Sequence, residues 1–449
     1  MHMGALLEEI RRATALSKGF RNVASHVSVE WVRQALQCHG KSTIRRRVVP
    51  NEVVVWLVVG MALFRNLSIR GVLRHLRLAP HGQGGGWLGQ RSVGSDTLTK
   101  ARQRVGAAPL EELFHICSRA WAAEVEPLWR YRDLQVCIVD GTTLRVADTE
   151  ANEARFGRPG SAHSPAAYPQ LRCVMLLAAA ARIVLDVVFD SIRCAEQTLW
   201  QRLFERLPAQ SLVLFDRGFV NYTMFARINA LGNERYWLCR ARRNLRCDVL
   251  QEFGVGDALV RLKVPSKARK ADPTLPRTIT ARLISYTIAG KGPFLLLTSL
   301  LDPERFPADE LATLYHQRWE VELAYGEIKS SMLNDEPTLR SHKPETVEQE
   351  LWGIFIAYNL VRIAMARAAQ QANVPPARIS FVNALALVRN FLLLAPAVAP
   401  SKLPKLYQQM ITEIAQNILP KRRYRSYPRA VKIKTSKYPR KPPKGHGSA

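Results

Sequence analysis

The chain has 449 residues, and 65 Lys plus Arg against 37 Asp plus Glu leave a formal charge of +28 with His neutral. Hydrophobic residues at 47% and charged residues at 23% match ordinary globular chains, which excludes global disorder and collagen-like repeats. So large a positive charge makes polyanions the natural partners, and nucleic acid is favoured over a membrane surface because no basic amphipathic helix with an aromatic face stands out.

Residues 1–125 read as a helical N-terminal DNA-binding domain. Apolar residues recur at helical spacing in Leu6–Ile10, Val29–Leu36, Val53–Phe64 and Leu110–Trp121. Met1 to Leu16 carries Glu8, Glu9, Arg11 and Arg12, unlike a secretory signal. Val53–Phe64 is too short to span a membrane and ends at Arg65, so a buried helix and a cytoplasmic, nucleoid-associated protein are expected. A glycine-rich loop, His81 to Gly86, precedes a helix for which Ser95 and Asp96 offer N-caps. Its Lys100, Arg102 and Arg104 are candidate phosphate contacts.

From about 126 to 244 the pattern changes to short apolar runs. Val136–Val139 ends at Asp140-Gly141, and Leu212–Phe215 ends at Asp216-Arg217-Gly218. Leu171–Ala180 and Ile183–Phe189 suit a hairpin. Continuous apolar strands separated by helical patterns at Glu196–Leu207 and Tyr222–Leu231 predict a sheet covered by helices on both faces. An Asp placed directly after an apolar strand has little reason to be there for packing, and in open α/β sheets functional groups gather at the carboxyl ends of strands. Residues 245–305 carry short runs (Ala258–Val264, Ile279–Tyr286, Phe294–Leu300) between Pro, Gly and Lys clusters, which predicts a β-strand insertion.

Residues 306–375 return to helices, Ala308 to about Met332 and Glu345 to Ala369. At about 100° per residue, Tyr315, Arg318, Glu322 and Lys329 share one face, while Glu320 and Glu327 fall on the other. A carboxylate flanked by cations suits a metal ion beside a phosphodiester; an exposed helix with intrahelical ion pairs is the alternative. Residues 376–420 carry two further helical patterns, Phe381–Leu394 and Leu403–Ile418. The remainder, 421–449, has eleven Lys or Arg and no acid, with three Tyr and four Pro in Lys421–Lys444, and reads as a disordered basic tail. Seven cysteines, an odd number with no C-x-x-C pair, predict free thiols.

The segment Tyr315-His316-Gln317-Arg318-Trp319-Glu320-Val321-Glu322, with Lys329 seven residues on, resembles the Y-x2-R-x3-E-x6-K signature of the IS4 family of DDE transposases. Asp140-Gly141-Thr142 and Asp216-Arg217-Gly218-Phe219 resemble that family's first and second acid motifs. Further similarities are Tyr168-Pro169-Gln170, Ala101-Arg102-Gln103-Arg104-Val105-Gly106, and the run from Gln349-Glu350-Leu351-Trp352 to Arg362. The resemblance covers roughly residues 30 to 370.

It implies an α/β fold: a ribonuclease-H-like mixed sheet flanked by helices and interrupted by the β insertion, with an all-α N-terminal domain and a helical, basic C-terminal region. It also implies Asp140, Asp216 and Glu322 as catalytic residues and ligands of two Mg²⁺ ions, with Mn²⁺ as a substitute. Tyr315, Arg318, Trp319 and Lys329 would contact DNA. The implied activity is cut-and-paste transposition, in which terminal inverted repeats are bound, cut and joined to target DNA within a homodimeric synaptic complex. An inactive DNA-binding derivative and a structure-specific nuclease are the alternatives.

Overall fold

The computed structural model describes residues 28–43, 48–76, 93–161, 164–242, 244–288, 291–335, 338–395 and 398–420. The expected Leu6–Ile10 helix, the glycine-rich loop and the basic tail lie outside these residues. Within them one sheet of nine strands runs through the chain: β1 (Gln135–Arg145), β2 (Gln170–Ala178), β3 (Ile183–Ser191), β4 (Ser211–Phe215), β5 (Arg235–Arg240), β6 (Asp248–Gly254), β7 (Asp257–Lys263), β8 (Thr278–Ile288) and β9 (Lys291–Thr298). Their spatial order is β3-β2-β1-β4-β5-β9-β8-β7-β6. The first five form the ribonuclease-H-like core: β2 and β3 pair antiparallel beside β1, while β4 and β5 run parallel to it.

The apolar runs are explained by burial on both sides. Val136, Ile138, Met175 and Leu214 enter one core, and Cys137, Val139, Val174 and Phe215 enter a second. Alternating side chains point to opposite faces, so a strand covered on both faces needs apolar residues at every position. The first face is covered by α5 (Ala108–Val125) and α12 (Pro344–Gln371), and the second by α7 (Glu196–Gln201) and α8 (Tyr222–Ala230).

The four insertion strands extend the core sheet, since β9 pairs antiparallel with β5 through Leu296↔Arg240 to Thr298↔Leu238. An unpaired β5 edge would leave a row of backbone donors and acceptors without partners. A short helix, α9 (Ser266–Ala271), lies within the insertion and was not expected, because SKARKA shows no apolar period.

The N-terminal helices, α1 (Val29–Cys38), α2 (Asn51–Leu63), α3 (Ile69–His75) and α4 (Ser95–Val105), share the first core with the catalytic sheet. The N-cap of α4 is Gly94, so Ser95 opens the helix and neither Ser95 nor Asp96 is its cap. Close packing of α2 on α12 uses Gly353, where a Cβ would stand 2.7 Å from Val58 Cγ1 and 3.0 Å from the Val58 carbonyl oxygen. Around this contact lies a buried polar network. Arg65 donates to Glu350 at 2.6 Å, and Glu350 also accepts from the Ser341 hydroxyl at 2.6 Å.

Arg102 belongs to the same network, which corrects its assignment as a phosphate contact. Its guanidinium donates to Gln349 at 2.7 Å, to the Thr346 carbonyl at 2.9 Å and to Ser341 at 3.1 Å, and the residue is 7% exposed. Arg104 likewise donates to Asn51 and to the Val49 carbonyl. Two segments noted for family resemblance, Ala101–Gly106 and Gln349–Trp352, are therefore halves of one internal joint.

Helix α12 is, among the described residues, the one helix long and apolar enough to cross a membrane, and 94% of that stretch is buried inside the fold. The C-terminal α13 (Phe381–Leu394) and α14 (Leu403–Gln416) pack beside it. All seven cysteines are free, and Cys117, Cys137, Cys173 and Cys239 are buried.

Removing one member of a buried ion pair strands the other, at a cost of about 3–5 kcal/mol. Arg65→Ala is therefore expected to lower the unfolding free energy by about 3 kcal/mol in urea titration. A loss below about 1 kcal/mol would show that the joint does not hold the two regions together.

Candidate active site

Asp140 and Asp216 stand at the same level on neighbouring parallel strands: Asp216 follows the end of β4, whereas Asp140 lies within β1, which does not end at the acid as its apolar run predicted but continues to Arg145 paired with β2. The β1–β4 register ends at Val139↔Phe215, so the two acids are the next residues on each chain. Each carboxylate accepts from the backbone N–H that follows it, Gly141 at 2.8 Å and Arg217 at 2.6 Å.

The third acid comes from a helical run laid across these strands. The continuous helix predicted for Ala308–Met332 is in fact four pieces: α10 (Ala308–Tyr315), a 3₁₀ turn (His316–Trp319), α11 (Glu320–Gly326) and a π turn (Glu327–Met332). Three side chains fasten it to the sheet. Tyr315 donates to the Phe215 carbonyl at 3.2 Å, Tyr325 to the Asp140 carbonyl at 2.6 Å, and Lys329 to the Thr142 hydroxyl at 2.5 Å. Glu322 lies between the two tyrosines and is exposed.

The opposite side of the run is clamped from below. Arg182, at φ 52° in the β2–β3 turn, forms ion pairs with both Glu320 and Glu327. Tyr358 donates to Glu327 at 2.8 Å, and the fully buried Arg362 pairs with it at 3.4 Å. The expected division of faces is therefore present: Glu320 and Glu327 turn inward to arginines, and Glu322 turns outward.

Burial pushes the Asp140 carboxyl up to about 6; the Gly141 N–H and Arg318 work against that rise, and Glu322 and Glu196 add to it. Burial likewise holds the Lys329 ammonium below the ordinary lysine range. Arg318 donates to Glu322 at 3.1 Å and lies 5.1 Å from the centre of the Trp319 ring, which is 46% exposed. Lys100 is also exposed.

Tyr315 is 7% exposed with its hydroxyl committed to the sheet, which corrects its reading as a DNA contact: it props the strand that presents Asp216. Glu196 was missed. A Cβ on Gly141 would stand 2.7 Å from the Glu196 carboxyl. In sequence it looks like any acid in the first turn of a helix, where the macrodipole favours it.

Carboxylate oxygens are the donor type that divalent cations take, and acids brought together need a counter-charge. Among the described residues no group of three acid, His or Cys side chains stands together so as to hold a cation.

A ribonuclease-H-like sheet with Asp140 and Asp216 level on neighbouring parallel strands and Glu322 on the helix fastened across them is the arrangement of a DDE transposase. Residues 131–360 match the transposase DDE domain, and residues 17–115 match the insertion element 4 transposase N-terminal family. The sequence is 33% identical to the transposase InsG for insertion sequence element IS4 of Escherichia coli (strain K12), over a 451-residue alignment spanning 100% of both chains. It is 32% identical to the putative transposase InsZ of the same organism over 229 residues, covering 51% of this chain and 74% of that one. A solved piggyBac transposase synaptic complex with hairpin DNA aligns at 12% identity and a TM-score of 0.39, covering 92% of this chain and 86% of that one. The chain belongs to the IS4 family of DDE transposases.

Arg182→Lys keeps the charge but loses the planar fork that reaches two carboxylates. Since small misplacements of catalytic groups cost about 10²-fold, transposition is expected to fall by that order with the circular dichroism spectrum unchanged. Near-normal activity would show that the clamp does not position Glu322.

Proposed function

We propose that this transposase binds the terminal inverted repeats of its element, cuts double-stranded DNA at the element ends and joins them to target DNA, using Asp140, Asp216 and Glu322 as ligands for two Mg²⁺ ions. The observation that carries this reading is the level placement of Asp140 and Asp216 on neighbouring parallel strands, with Glu322 on a helix fastened to the Asp140 and Phe215 carbonyls. Two divalent ions held by these acids would activate the attacking oxygen and stabilise the leaving one, with Mn²⁺ as a substitute.

The chain's own residues supply position and charge. Arg318, held between Glu322 and the Trp319 ring, is in place to exchange its carboxylate partner for a DNA phosphate. Lys329, only half buried, offers a second phosphate contact beside Thr142. Exposed Trp319 offers a face on which a base near the cut can stack. Each step is a displacement at phosphorus: an oxygen of water or of a DNA 3′-hydroxyl bonds to the scissile phosphorus while the opposite P–O bond breaks, and the departing oxygen takes a proton. No enzyme nucleophile is required.

Several finer points belong to the same reading. Residues 1–125 bind the terminal repeats, with Lys100 among the contacts. The boundaries 126–244, 245–305, 306–375, 376–420 and 421–449 delimit the first core part, insertion, second core part, C-terminal helices and basic tail. Two copies pair the element ends in a homodimeric synaptic complex. The protein works in the cytoplasm on nucleoid DNA.

Asp140→Asn, Asp216→Asn and Glu322→Gln are each expected to abolish Mg²⁺-dependent cleavage of element ends in vitro while DNA binding stays measurable. Cleavage retained in any one of them overturns the assignment. A separate check uses salt: losing one phosphate contact reduces the slope of log K against log salt by about one. Lys100→Ala is expected to do this; Arg102→Ala, whose guanidinium is internal, is expected to leave the slope unchanged while lowering stability.

A further inference from the structure

We propose that Arg240 is a further DNA contact of this transposase, holding the backbone phosphate next to the scissile one on the insertion side of the acids; this rests on the reading of Asp140, Asp216 and Glu322 as the cutting site. Sheet register places it. Val139, Phe215 and Cys239 lie side by side on β1, β4 and β5, and all three enter the second core. The residues that follow them are Asp140, Asp216 and Arg240, so two acids and an arginine form one row on the opposite face. Leu296, which pairs with Arg240 from β9, lies in the first core and marks the same face. Neighbouring strands are about 4.8 Å apart, which sets the arginine backbone about 5 Å from that of Asp216 and about 10 Å from that of Asp140.

Arg240 is half-buried, and among the described residues its guanidinium has neither an ion pair nor a hydrogen bond. Other arginines on this side of the sheet are committed to carboxylates, Arg182 to Glu320 and Glu327 and Arg318 to Glu322. What holds Arg240 is aromatic. Its guanidinium lies 4.6 Å from the centre of the Phe294 ring, and that ring packs against Tyr286 at 5.7 Å. Stacking occupies the flat face of a guanidinium and leaves its N–H donors in plane, the fork that binds phosphate through two bonds. Electrostatics tie this cluster to the acids. Burial pushes the Tyr286 hydroxyl up, and Arg240 works against that rise. Burial likewise raises the Tyr315 hydroxyl; Arg318 opposes this, while Asp216 and Tyr286 are among the groups that add to it. One DNA strand carries a charge for each 3.4 Å or so of duplex axis. A strand cut at the acids and running along the row therefore brings its next phosphate to Arg240.

The test replaces single phosphates around the cut with uncharged methylphosphonates and measures binding of the full chain to each element end without Mg²⁺, for the wild type, Arg240→Ala and Arg240→Gln. The wild type is expected to bind about tenfold more weakly when the phosphate beside the scissile one is neutral, the size of one charge-assisted contact. Arg240→Ala is expected to lose about tenfold on unmodified DNA, to ignore that one substitution and to keep its response to the others, with an unchanged thermal melt. If Arg240→Ala melts early, Arg240→Gln, which keeps a planar amide for Phe294, is read by the same pattern. A variant that responds to every methylphosphonate as the wild type does overturns the contact, and an Arg240-dependent phosphate distant from the cut overturns its location. Mg²⁺-dependent cleavage retained in Asp140→Asn defeats the acid reading instead, whatever the binding pattern.

Discussion

A buried electrostatic clamp fixes the helix that carries Glu322 against the sheet. Arg182 grips Glu320 and Glu327, which bracket the regular part of that helix, and Tyr358 and Arg362 hold Glu327 from α12. Buried ion pairs contribute little net stability compared with apolar packing, but they specify one arrangement, because a slipped helix would leave charges stranded in the core. The upper face is then committed. Tyr315 and Tyr325 reach the backbone of the two acid strands, and the 3₁₀ and π turns absorb the mismatch between helical pitch and strand spacing.

A second joint ties the N-terminal helices to the same helix α12. Arg65 and Glu350, with Arg102 and Gln349 beside them, connect α2 and α4 to the element that also supports the clamp. The region matching the N-terminal transposase family and the DDE domain therefore share a core as well as a chain.

Much of this was legible in the sequence because it follows from local rules. Apolar runs ending in Asp marked β4 and the first half of β1, whose continuation to Arg145 was hidden by the polar Asp140–Thr143, and the helical phase separated Glu322 from Glu320 and Glu327 before any partner was visible. The misses share one physical cause: they depend on residues far apart along the chain. Arg102 looks like an exposed phosphate contact until Gln349, 247 positions away, is seen to receive its guanidinium. Tyr315 looks like a surface grip until the Phe215 carbonyl is found behind it. The breaks in the 308–332 helix have the same origin, since nothing in its local propensity requires a π turn at Glu327. The insertion read correctly as strands, yet only pairing with β5 reveals it as an extension of the core sheet.

The charge of +28 fits the same picture. A strongly basic chain attracts DNA, and acids among its phosphate-facing residues repel phosphate unless cations intervene. The most direct test of that central claim is to load the protein with Fe²⁺ and map the backbone cuts made by the hydroxyl radicals it generates. Cuts confined to the neighbourhoods of Asp140, Asp216 and Glu322 are expected. Cuts centred elsewhere, or none above background, would contradict the assignment of these acids as the metal centre.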